Sequence, residues 1–157
     1  MLGRCLSLLL AMAAVAGPAC AQPAAALSPD FAPGQEWSIR STTPTTAKII
    51  IGRVEPWGGD RIAVSISIVD VPTPQGGVTE IAHAPFDKSA LAGSVDRLLA
   101  TGVPPASSFE SGYKQWRDAK GGVFTITVEK AIEIVFQTIH QQQHAAETRK
   151  GLDKSSE

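Results

Sequence analysis

Between Glu36 and Phe86 the apolar residues recur mostly at every second position, and beyond Leu91 their spacing lengthens to three and four. Alternation turns one side of an extended chain toward a core, because successive strand side chains point to opposite faces. Trp37 and Ile39 alternate with Glu36, Ser38 and Arg40, which predicts a half-buried strand. Lys48 to Val54 is apolar on both faces through Ile49, Ile50 and Ile51, the pattern of a strand central in its sheet. Arg61 to Val69 has the cleanest alternation, with Ile62, Val64, Ile66 and Ile68 on one side and Ser65 and Ser67 on the other. Val78 to Phe86 is a weaker fourth candidate. Pro56-Trp57-Gly58-Gly59-Asp60 and the stretch from Pro72 to Gly77 separate these runs with turn chemistry. Such links are too short for the crossover a parallel pair needs, so neighbours are expected to run antiparallel.

The period then becomes helical. Leu91, Val95, Leu98 and Leu99 fall at i, i+4, i+7 and i+8 behind Asp87, a residue type suited to capping, and Gly102-Val103-Pro104 predicts a stop. Ser107 with Glu110 three residues on has capping-box spacing, and Phe109, Tyr113 and Trp116 then make an apolar stripe. Gly121-Gly122 ends that helix, and Val123 to Ile126 suggests a brief strand. Thr127 would cap a last helix with Val128, Ala131, Ile132, Val135, Phe136 and Ile139 on one face. Strands first and helices later predict an α+β fold: an antiparallel sheet of four to five strands followed by three helices packed on one face.

The N-terminal segment has a different character. Met1 to Arg4 carries one positive charge, Cys5 to Ala16 is an apolar run, and Ala19-Cys20-Ala21 offers the small residues signal peptidase accepts. The run is about a dozen residues, short of the ~20 a membrane-spanning helix needs. The expected organisation is a signal peptide over 1–21, a flexible Ala- and Pro-rich leader over 22–34, one α+β domain over 35–144 and a disordered charged tail over 145–157. Cleavage after Ala21 would leave 136 of the 157 residues and remove both cysteines, so the mature chain would hold no thiol. The rival is a lipoprotein cut before Cys20 and anchored there. Gly17 stands where a bulky aliphatic residue is usual, so soluble, periplasmic or secreted processing is the expectation.

The chain has 14 basic and 15 acidic residues, net −1, and loss of Arg4 would take it to −2. The charges are interspersed and form no basic stripe, which argues against nucleic acid as a partner. The absence of a second long apolar run argues against a membrane span in the mature chain.

Candidate chemistry is sparse. Gly58-Gly59, Gly76-Gly77 and Gly121-Gly122 match neither phosphate-binding motif and read as turns. His140 and His144 share a helix face at the spacing zinc enzymes use, but Gln141 stands where a zincin has its catalytic Glu, so no metal is assigned. His83 ends a strand and is the weak candidate for a general base; Ser89, Ser94, Asp87 and Asp96 are its neighbours in sequence. No nucleophile elbow accompanies it, no pair of acids suggests glycosidase chemistry, and no motif calls for a cofactor. The densest constellation is Gly112-Tyr113-Lys114-Gln115-Trp116-Arg117, where Tyr113, Trp116 and Arg117 supply the residue types that dominate binding hot spots. The same stripe is first of all a core signature, with Tyr113 and Trp116 packing a short helix and Arg117 snorkelling, and that reading is the favoured one.

At these residues a resemblance can be stated. An aromatic first strand at Trp37, the His83-x-Pro85 step, Gly112-Tyr113-x-x-Trp116 and Gly121-Gly122-Val123-Phe124-Thr125 resemble a group of small secreted proteobacterial proteins of unknown function, over residues 35 to 140. The resemblance implies a bacterial envelope setting and brings no activity, ligand or site. The expectation is therefore an exported, non-enzymatic binding, accessory or inhibitor-type module for an envelope protein or small ligand. The alternative is a small periplasmic hydrolase centred on His83.

Overall fold

The computed structural model describes residues 29–74, 76–139 and 141. In chain order the elements are β1 (Glu36–Ile39), β2 (Lys48–Pro56), β3 (Ile62–Pro72), β4 (Val78–Asp87), α1 (Lys88–Ser94), β5 (Val95–Ala100), α2 (Phe109–Asp118) and α3 (128–139). The strands form one five-stranded sheet in the order β4-β3-β2-β1-β5, antiparallel throughout. The α+β class expected from the pattern is what the chain adopts. The expected signal, most of the leader and the tail lie outside the described residues, as do His140 and His144. Among the described residues no helix is long and apolar enough to cross a membrane.

β2 is the middle strand, as its two-sided apolar run requires. Register puts Ile49 opposite Ile68 and Ile51 opposite Ile66, and Val64 opposite Phe86, so these side chains share one face. Leu91 of α1 and Val128 and Ala131 of α3 close that face into the core. A buried hydroxyl ties the two helices together: Ser94 Oγ accepts from the Val128 N–H at 3.0 Å. Thr127 caps α3 as its residue type suggested, its Oγ1 accepting from the Lys130 N–H at 3.3 Å. The apolar stripe of α3 fades along its length, and Ile139 is exposed rather than core.

The helices do not all share that face. α2 packs on the opposite side, over Gly52, Ser65 and His83. The serines that alternate with the β3 isoleucines are fully buried there, so polar residues did not mark a solvent face. Each has partners instead. Ser67 Oγ donates to the Ala82 carbonyl at 2.7 Å and accepts from the Ala106 N–H at 3.0 Å, which draws the segment before α2 across the sheet.

The stripe Leu91, Val95, Leu98, Leu99 is not one helix. Asp87 does cap α1, its carboxylate accepting from the Ser89 N–H at 3.0 Å, but α1 stops at Ser94. Val95 turns extended, and the chain becomes β5, pairing Val95 with Ile39 and Leu98 with Trp37. β1 otherwise has an open backbone edge beside the core, and satisfying it while burying Val95 outweighs a weak helical propensity. Leu98 and Leu99 remain exposed. The Ser107–Glu110 capping box does not form either: Ser108 is the cap residue, without a side-chain cap bond, and Glu110 bonds Arg53 instead. The expected strand after Gly122 reduces to a single parallel bridge between Phe124 and Phe86.

Candidate aromatic binding site

Two β-bulges and one helix build the site. Gly52 and Arg53 together oppose Ser65, and Ala82 and His83 together oppose Ser67. An extra residue on one strand re-aims its neighbours. Here the bulges turn Arg53 and His83 toward α2. Glycine stands where α2 comes closest: a Cβ at Gly52 would enter the Phe109 ring, and one at Gly112 would lie 2.7 Å from the His83 Cβ. Phe109 is then fully buried, while Tyr113 and Trp116 are partly so.

His83 sits at the centre of these rings. Its centroid is 5.4 Å from Phe109, 5.6 Å from Trp116 and 5.8 Å from Tyr113. Burial among them pushes its pKa below the ordinary histidine value, with Glu110 and Glu55 opposing the shift. Trp116 donates its indole N–H to the Gly122 carbonyl at 2.8 Å and stacks on Trp57, centroids 4.9 Å apart at 28°. Trp57 is half-buried, and its indole N–H has no hydrogen-bond acceptor among the described residues.

Glu55 organises the rim. It accepts from the Tyr113 hydroxyl at 2.7 Å and from Arg117 Nη1 at 3.1 Å. The Tyr113 phenol is consequently pushed above its usual range, first of all by the Glu55 hydrogen bond. Arg53 lies 4.5 Å over the Tyr113 ring and pairs with Glu110 at 2.8 Å. The side chains of Arg117 and Lys114 are 52% and 76% exposed, and each is paired with a carboxylate, Arg117 with Glu55 and Lys114 with Asp118.

The structure thus brings Tyr113, Trp116, Arg117 and His83 together. His83 also acquires a hydroxyl neighbour from a distant strand, with Nε2 3.2 Å from Ser65 Oγ. Ser65 is fully buried, and no carboxylate among the described residues hydrogen-bonds the imidazole, so a substrate could not meet this hydroxyl without opening α2. The serines adjacent in sequence serve the scaffold: Ser89 N–H fills the Asp87 cap, and Ser94 bridges α1 and α3. Asp87 pairs with Arg61 at 3.0 Å. Sequence reasoning missed Trp57, Glu55 and Arg53. Trp57 lay inside a Gly-rich turn, and its own bulk was the only signal that the turn packs against something. Among the described residues no three His, Cys, Asp or Glu side chains are grouped to hold a metal. Comparison with protein-family models, with curated proteins and with solved structures finds no match.

Proposed function

We propose that the chain is exported to the bacterial envelope and acts there as a non-enzymatic binding module, of accessory or inhibitor type, through the surface formed by Trp57, Trp116, Arg117 and Lys114. The observation that carries this reading is the Trp57–Trp116 stack at the edge of α2, flanked by the exposed, ion-paired side chains of Arg117 and Lys114. Rigid aromatics lose little conformational entropy when a partner covers them, and a neighbouring guanidinium adds directional donors. The burial of Ser65 weighs against catalysis at His83. The small-residue site at Ala19-Cys20-Ala21 supports export, and the resemblance of the His83-x-Pro85 and Gly112-Tyr113-x-x-Trp116 motifs to those of small secreted proteobacterial proteins supports the envelope setting.

A photo-crosslinking residue placed at position 117 in cells that export the chain tests the surface. A discrete adduct from position 117, and none from position 130 on exposed α3, is the expected result. Adducts of equal yield from both positions, or from neither, would overturn the proposal.

A further inference from the structure

We infer a second, separate binding site: a cleft on the α2 side of the sheet, beyond Ser67, that takes a small amphiphilic anion such as a medium-chain carboxylate. α2 begins above Gly52 and covers only the end of this face nearest Trp57. The opposite end is left as an open cleft of about 510 Å³ in which all five strands or their flanks meet, through Ser38, Lys48, Asp70, Val78, Arg97 and Leu99. That size falls within the ~300–1,000 Å³ of small-ligand pockets.

Two features of the lining set the ligand class. Val78 and Leu99 are 62% and 39% exposed, so two of the large apolar side chains left in solvent line the cleft, one from each edge strand. An acyl chain lying against them would remove that area from water. The second feature is charge. Lys48 lies 3.2 Å from Asp70 and 3.5 Å from Glu36, so its ammonium is committed to two carboxylates. Arg97 has no ion-pair partner among the described residues, and its backbone is held by Ser38, whose Oγ accepts from the Arg97 N–H at 3.0 Å. The guanidinium is therefore the free charge of the cleft, and a carboxylate or phosphate head is the group that matches its fork of donors.

The wall of the cleft is fixed rather than loose. Asp70 adopts a left-handed backbone conformation, φ 54°, at a bulge between β3 and β4. Its carbonyl accepts from Thr46 Oγ1 at 2.9 Å and its carboxylate faces Lys48, so the sparsely populated conformation is held from two sides. Lys48 and Arg97 together balance the two carboxylates, Asp70 and Glu36, so the cleft is neutral as a whole, and an incoming anion meets in Arg97 the one cation there without a carboxylate partner among the described residues.

Titrating the purified chain with octanoate, followed by amide chemical shifts, tests the inference. Octanoate should shift the amides of Lys48, Val78, Arg97 and Leu99 in a saturable way, and octan-1-ol, lacking the charge, should bind about tenfold more weakly. Arg97→Gln and Leu99→Ser alter exposed side chains and should leave the spectrum of the free fold intact while each weakens octanoate by about tenfold. Shifts centred on α2, no saturable shift, or undiminished binding by Arg97→Gln would each overturn the proposal. Because the cleft shares no residue with the Trp57–Trp116 surface, this outcome is independent of the crosslink from position 117.

Discussion

His83 Nε2 lies 3.2 Å from Ser65 Oγ on the floor beneath α2, joining the bulge in the middle of β4 to β3. The contact places a titratable ring between α2 and the sheet, roofed by Phe109, Tyr113 and Trp116. Its consequence is a coupling between protonation and the docking of α2.

Burial lowers the His83 pKa in the fold below the 6.5 of an exposed histidine, so the unfolded chain takes up the proton first. The contribution of neutral His83 is complete above pH about 6.5 and is lost as pH falls from there toward its lower folded pKa. Urea unfolding should therefore show a decline in midpoint below pH about 6.5 that His83→Gln removes. Asp87 does not confuse the assignment. The Arg61 hydrogen bond and then the Ser89 N–H depress its pKa below 3.8, so its loss of stability begins at lower pH. A wild-type midpoint that is flat from pH 7.5 to 5 would show that the ring is not desolvated in the fold.

The closeness of α2 to the sheet gives a second expectation. Gly112→Ala would put a methyl 2.7 Å from the His83 Cβ, and Gly52→Ala would drive one into the Phe109 ring. Each should cost about 1–3 kcal/mol, the ordinary cost of overpacking. Gly93→Ala is the control. It lies within α1 with open space where its Cβ would go, and alanine there should be neutral or stabilising by up to about 1 kcal/mol. Equal Tm values for Gly52→Ala and Gly93→Ala would mean that α2 sits farther from β2.

Much of this fold could be read from alternation alone, and the failures have physical causes. β3 carries a strong period-two run and β2 a two-sided apolar one, and the serines of β3 do share one face. That the face is buried could not be read, because it depends on Ala106 and Ala82 arriving from elsewhere to satisfy Ser67. Val95 to Ala100 misleads because leucines at helical spacing also fit a short edge strand, and only the open edge beside Trp37 and Ile39 decides between them. In the site, Tyr113, Trp116 and Arg117 stand close in sequence and are legible as a group. Glu55, Arg53 and Trp57 sit more than fifty residues away on β2 and its turn, and no spacing rule joins them to α2.

Processing offers a test that needs no structure. If Ala19-Cys20-Ala21 is cut after Ala21, the intact mass of the exported chain should correspond to a start at Gln22, and the product should take up no thiol-alkylating reagent. An acylated Cys20 at the N-terminus would instead make the protein a membrane-anchored lipoprotein.

The last expectation separates scaffold from binding surface within a single turn of helix. Trp116 is wedged between Trp57, His83 and Tyr113, and a Cβ at Gly121 would strike its ring. Trp116→Ala should remove those contacts and release the exposed Gly122 carbonyl to water, lowering stability by on the order of 2–3 kcal/mol, somewhat less than for a fully buried tryptophan. Arg117 is its neighbour but points outward, 52% exposed, and its bond to Glu55 is partly screened. Arg117→Ala should therefore change stability by less than about 1 kcal/mol, because Tyr113 continues to occupy Glu55. Thermal melts of the two variants decide the matter directly. If Arg117→Ala melts near wild type, any binding it abolishes was made by the guanidinium itself at the surface. If it melts as low as Trp116→Ala, Glu55 depends on the guanidinium to hold α2 in place, and Arg117 belongs to the scaffold.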